Sequence, residues 1–149
     1  MKSITLLIID ESGSMAGMES FVNETQPGIV NQIKTELAET PELEQFIEIW
    51  TFEGTNIVQR IPLMQLSKDT VPNNLEFKPG YSTPLFDAMG ISLTGMQERI
   101  KSIEILRDVH VNVSIITDGM ENSSRKYSSA ELSKLIEALK ECNWNFAWN

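Results

Sequence analysis

Ile4-Thr5-Leu6-Leu7-Ile8-Ile9-Asp10 is an almost unbroken apolar run that stops on an acid. Short length with apolar residues on both alternating faces predicts a strand buried in the middle of a parallel sheet. Gly13 and Gly17 then mark a loop. From about Glu19 to Glu39 apolar residues recur at Phe21, Val22, Ile29, Ile33 and Leu37, a helical period. Pro27 is expected to kink that helix or to begin its regular part.

Phe46 to Phe52 is rich in aromatic and β-branched residues and predicts a second strand. Glu53-Gly54 reads as a turn into a polar-alternating edge strand, Asn56 to Ile61. Pro62 to Gly80, with three prolines and the pair Asn73-Asn74, is expected to be loop. Ser82-Thr83-Pro84 reads as a helix start, a hydroxyl at the N-cap followed by proline in the first turn. Leu85, Met89, Leu93, Met96, Ile100 and Ile103 continue that helix at spacings of three and four. Val109 to Ile116 predicts a third apolar strand, ending at Thr117-Asp118-Gly119. Ser128 with Glu131 forms a capping-box pattern before a helix carrying Leu132, Leu135, Ile136 and Leu139. Trp144 to Trp148 predicts a last short strand. Strands alternating with helices define an α/β domain: a doubly wound, mostly parallel sheet with one antiparallel edge strand and helices on both faces.

The 149 residues suffice for one domain and one core, residues 1–149. A hydrophobic share of 41% with 22% charged residues is that of a water-soluble globular chain. No stretch approaches the roughly 18 consecutive apolar residues of a membrane span. Met1-Lys2-Ser3 leads straight into the first apolar segment without a small-residue cleavage site, so no signal peptide is expected. The single cysteine, Cys142, cannot form an internal disulfide, which suits a reducing cytoplasm. A net charge of −9 argues against nucleic acid as a partner, since that needs a clustered basic footprint.

Two of the apolar strands end in aspartate, Asp10 and Asp118. In an open parallel sheet, function lies beyond the carboxyl ends of the strands, where the winding reverses. Three hydroxyls lie between the two acids in sequence: Ser12 and Ser14 in the first loop and Thr83 at a helix start. All five are hard oxygen donors, which select Mg²⁺, Mn²⁺ or Ca²⁺ over zinc or copper. In an extended loop the alternation Asp10-x-Ser12-x-Ser14 turns three oxygens to one side. Asp87, one turn after Thr83, is a candidate for orienting the site's waters, although acid in a first helical turn is favourable without a ligand. Glu121 and Asn122 are candidates for a rim that reads a partner. His110, without a second histidine near the motifs, reads as structural, Cys142 as a quiet thiol, and Trp144 and Trp148 as core or edge packing.

Asp10-Glu11-Ser12-Gly13-Ser14-Met15 resembles the Asp-x-Ser-x-Ser motif of von Willebrand factor type A (VWA) domains, in the form common in bacterial members. The run from Gly80 through Thr83-Pro84-Leu85 to Asp87-Ala88-Met89 is similar to that family's second motif, and Ile116-Thr117-Asp118-Gly119 to its third. Glu121 through Tyr127 resembles small stand-alone bacterial and phage members. The resemblance runs over essentially the whole chain and implies a metal-ion-dependent adhesion site. In it, Ser12, Ser14 and usually Thr83 would bind the ion directly, with Asp10 and Asp118 acting mainly through waters. Neutral hydroxyls leave such an ion under-neutralised, so the expected partner is a protein presenting an Asp or Glu carboxylate.

The implied role is a binding module rather than an enzyme. A phosphotransferase of the haloacid-dehalogenase type would need a second Asp two residues after Asp10, and Ser12 stands there. Gly13-Ser14-Met15-Ala16-Gly17 is not a hydrolase elbow. A subunit of a larger ATP-driven complex is the remaining alternative, its ATPase a separate chain, since no phosphate-binding Gly-Lys-Ser/Thr loop is present. VWA domains usually continue past the last strand seen here, so the edge carrying Trp144, Phe146 and Trp148 is expected to leave an apolar face open to self-association.

Overall fold

The computed structural model describes residues 2–11, 19–40, 42–54, 56–67, 84–103, 106, 108–117 and 124–148, with side chains in the first helix described at residue 24 and from residue 26 onward. The elements are β1 (Lys2–Asp10), α1 (Glu19–Glu39), β2 (Glu44–Glu53), β3 (Asn56–Leu66), α2 (Leu85–Ser102), β4 (His110–Ile116), α3 (Ser129–Lys140) and β5 (Trp144–Trp148). They build one sheet in the order β3-β2-β1-β4-β5. β1 runs parallel to both β2 and β4, β5 parallel to β4, and β3 antiparallel to β2 at the edge. This is the doubly wound, mostly parallel α/β sheet that the element pattern predicts.

Central β1 is enclosed on both faces, which is why its sequence lacks alternation. Ile4, Leu6 and Ile8 join Phe46, Phe52, Val111, Val113, Ile115 and Trp144 beneath α2 and α3. Leu7 and Ile9 join Ile47, Ile49 and Ile116 beneath Val30 and Ile33 of α1. Each such side chain contributes about 1.5–3 kcal/mol by leaving water. Strand order extends from β1 in both directions, so right-handed crossovers put α1 and α3 on opposite faces. α1 runs through Pro27 at the cost of one backbone hydrogen bond. Of its expected apolar stripe, Ile33 is buried and Ile29 and Leu37 half-buried, while Phe21 and Val22 lie outside the described side chains.

Three boundaries differ from the sequence expectation. β3 continues to Leu66, five residues into the segment read as loop, and passes through Pro62. Its pairing with β2 shifts register twice, between Ile47 and Ile49 and again between Ile49 and Trp50, so β3 carries an extra residue at each place. Proline is tolerated in such a strand because an edge and a bulge both spare it a ladder hydrogen bond. The second difference is at α2, whose N-cap is Pro84 rather than a hydroxyl, with no cap from its own side chain. The third is Ile103, which lies past the helix end and is exposed.

The predicted Ser128 cap is present: its Oγ accepts the Glu131 N–H at 3.1 Å. On β5, Trp144 and Phe146 turn toward α2 and α3, Trp144 buried and Phe146 half-buried, while Trp148 at the tip is 55% exposed. The opposite face of β4 and β5 is largely polar, with Ile116 of β4 in the core beneath α1. There Asn112 Nδ2 donates to Ser3 Oγ at 3.2 Å and Asn145 Nδ2 to Asn112 Oδ1 at 3.4 Å. The expected apolar face therefore shrinks to Trp148. Among the described residues, no helix is long and apolar enough to cross a membrane.

Candidate functional site

The sheet reverses its winding between β1 and β4, and the carboxyl ends of these strands lie side by side, Ile9 level with Ile116. Asp10 closes β1 there with no exposed surface. Thr117, the residue after β4, donates its hydroxyl to Asp10 Oδ2 at 2.8 Å. A carboxylate without solvent access stays an anion only where donors or a cation meet it, and Thr117 is one such donor. Thr117 belongs to the Thr-Asp-Gly triplet, and the pairing with Asp10 across 107 residues became visible only with the strands in register.

Glu11 is also buried. Its N–H extends the pairing of β1 onto Phe52 O at 2.8 Å, and its carboxylate meets Arg60 Nη1 at 3.5 Å. Arg60 is the extra residue at one β3 bulge and also reaches Thr51 Oγ1 at 3.5 Å. Bulges commonly re-aim a side chain near a site. Here the bulge aims a guanidinium at the end of β1, which the sequence pattern of an edge strand could not disclose.

Asp87, in the first turn of α2, accepts three backbone N–H groups from one segment. Its Oδ2 accepts the N–H of Arg125 at 2.7 Å, and its Oδ1 accepts those of Lys126 and Tyr127, both at 2.8 Å. In return Ser124 Oγ accepts the Asp87 N–H at 2.9 Å. Ser124 thus does for α2 what an N-cap hydroxyl would do, from 37 residues away. Tyr127 lies against Gly90, where a Cβ would overlap its ring, and its hydroxyl is 3.3 Å from Thr94 Oγ1. Asp87 therefore holds the segment 124–127 against α2, and the carboxylate is committed to backbone donors.

Of the candidate site residues, Asp10 and Asp87 are described. Ser12, Ser14, Thr83, Asp118, Glu121 and Asn122 lie outside the described residues. Their described chain neighbours do converge. Glu11 follows Asp10 at the end of β1, Thr117 follows β4, and Ser124 meets Asp87 in the first turn of α2, just after Pro84. Gly54 and Ile57, just past the carboxyl end of β2, line a depression together with Pro84, Asp87 and Ile91, which puts the start of α2 at this same end of the sheet. Among the described residues, no three His, Cys, Asp or Glu side chains gather as a ready-made ligand cluster.

A second charged group escaped the sequence reading. Glu48 lies within the apolar run of β2 yet points among core residues with no exposed surface. It accepts from Trp50 Nε1 at 2.9 Å and Gln59 Nε2 at 2.8 Å, and pairs with Arg99 of α2. Three donors on one carboxylate explain how a charge is accommodated there. They tie β2, β3 and α2 together away from the strand ends.

Fold and strand ends together define an open, doubly wound α/β domain with a buried acid at its switch point. Comparison with protein-family models and with curated proteins returns no match. Among solved structures, proximal thread matrix protein 1 from the mussel byssus matches with a TM-score of 0.55 at 15% identity, over 99% of this chain and 35% of that one. A second crystal form of it gives 0.50 at 16% identity, again over 99% and 35%. This chain thus spans about a third of the mussel protein's length, and the likeness is one of fold. The SpRpn10 VWA domain is matched at a TM-score of 0.46 and 13% identity, over 99% of this chain and 87% of that domain.

Proposed function

We propose that this chain is a VWA-type binding module that takes a protein partner through a hard divalent cation, Mg²⁺ or else Mn²⁺ or Ca²⁺. The observation that carries the reading is Asp10, fully enclosed at the carboxyl end of the central strand, at the point where the sheet reverses. Ser12, Ser14 and Thr83 would hold the ion, with Asp10 and Asp118 behind them through waters. The donor set fits that role chemically, being oxygen throughout. When bound, the ion supplies a Lewis-acid position that an Asp or Glu of the partner completes. Thr117 keeps Asp10 oriented, and Asp87 with Ser124 keeps the start of α2, next to Thr83, joined to the segment that follows Asp118.

Isothermal titration with Mg²⁺ or Mn²⁺ tests the proposal. One site is expected in the wild type, strongly weakened in Ser12→Ala and Asp118→Ala. Equal binding by those variants would remove the assignment. The module is proposed to have no catalysis of its own, because Ser12 stands where a phosphotransferase needs an acid and His110 is the chain's one histidine. A generic phosphatase substrate with Mg²⁺ should turn over at background rate. Turnover abolished by Asp10→Asn would reverse that reading.

A further inference from the structure

The depression lined by Gly54, Ile57, Pro84 and Ile91 has a floor of apolar side chains and backbone, and its volume is about 290 Å³. That is at or below the lower end of small-molecule sites, which run from roughly 300 to 1,000 Å³. It suits one or two side chains better than a cofactor. Asp87 also borders it, but that carboxylate is spent on three backbone N–H groups. The remaining lining residues, Arg125 and Lys126, are exposed, and neither side chain forms an ion pair among the described residues.

Two properties set this pair of cations apart from ordinary surface charge. The chain carries a net −9, so adjacent cations on it make a local reversal of field. Their backbone is also fixed, because Asp87 binds both N–H groups and Tyr127 packs on Gly90 immediately after them. Cations carried on a held backbone beside an apolar hollow spare the backbone part of the ordering cost on binding, while their side chains still have to be ordered.

We infer that this hollow is a docking site for a segment of the protein partner in which an apolar side chain is followed by acidic residues, the apolar group entering the hollow and the acids meeting Arg125 and Lys126. The inference rests on the binding-module reading but not on its metal. The charge complement selects an acidic peptide over a basic one, since the lining carries two cations against one carboxylate, that of Asp87, which already accepts three backbone N–H groups. Such contacts weaken with salt, as exposed charge pairs do.

Nuclear magnetic resonance titration with the peptide N-acetyl-Leu-Asp-Glu-amide tests this, run once with Mg²⁺ and once with chelator. Amide signals of Ile57, Ile91 and Arg125–Tyr127 should shift in both conditions. N-acetyl-Leu-Asn-Gln-amide and N-acetyl-Ser-Asp-Glu-amide should each bind about five- to tenfold more weakly, as should the leucine peptide to the doubly neutralised variant Arg125→Gln/Lys126→Gln. Unshifted signals at those positions, or equal binding of the amide control, would overturn the inference. Binding that needs Mg²⁺ and survives the double substitution would also overturn it while supporting the metal reading. Shifts that persist in chelator, in a protein that titrates no metal, would uphold the docking site and remove the metal.

Discussion

Replacing Asp87 by alanine deletes one carboxylate and strands three backbone donors, at 2.7, 2.8 and 2.8 Å. Hydrogen bonds to a charged group contribute about 1.5–3 kcal/mol each. Arg125 and Lys126 are exposed, so water can take over most of what their N–H groups lose, whereas Tyr127 is half-buried and recovers less. The acid also stands in the first turn of α2, where a negative charge contributes about 0.3–1 kcal/mol. The expected loss for Asp87→Ala is therefore about 3 kcal/mol, equivalent to a fall in Tm of about 6–12 °C for a chain of this size. Asp87→Asn should fall between wild type and alanine, because its amide nitrogen turns a donor toward at least one of the three N–H groups. Thermal melting measures the total, and amide hydrogen exchange locates it. Exchange at Arg125, Lys126 and Tyr127 should accelerate more than exchange in β1. An unchanged melting temperature with unchanged exchange at these residues would refute the reasoning. A stable variant with normal exchange but weakened Mg²⁺ binding would mean that Asp87 serves the ion and not the loop.

Gly90→Ala drives a Cβ into the Tyr127 ring and should lose about 1–3 kcal/mol by urea unfolding, with the loss largely absent in a Tyr127→Ala background. Glu48→Ala leaves the Arg99 guanidinium without its carboxylate and should cost about 3–5 kcal/mol, while Glu48→Leu combined with Arg99→Met should recover only part of it, because Trp50 Nε1 and Gln59 Nε2 still lose their acceptor. An unchanged denaturation midpoint in Glu48→Ala would show that the pair contributes nothing net. Self-association through the β5 edge, with Trp148 at its tip, is expected in light scattering as a mass that rises with protein concentration and falls back in Trp148→Ser. A monomer at all concentrations would end that proposal.

Much of this fold follows from local pattern. The unalternating run before Asp10 requires a strand covered on both sides, and β1 is central. The Ser128–Glu131 pair starts α3, and Trp144–Trp148 is a strand, because capping and side-chain period depend on near neighbours alone. The same locality put Asp10 at a strand end and, with Asp118 two residues after Ile116 in the sequence, made an oxygen-donor site legible as a hypothesis.

Tertiary structure decided what depends on partners distant in sequence. Pro62 reads as a breaker until β2 supplies a neighbour against which a bulged edge strand can pair without its N–H. Glu48 reads as one polar residue in an apolar run until Gln59 and Arg99 arrive from β3 and α2 to meet its charge. Asp87 and Ser124 show the same thing most plainly. Either is an ordinary helix-start or loop residue in the sequence, and only chain closure across 37 residues makes one cap the other's helix. The physical reason is that hydrophobic period and capping propensity act within a turn or two of the chain. The partner of a buried polar group is chosen instead by which elements the core brings together.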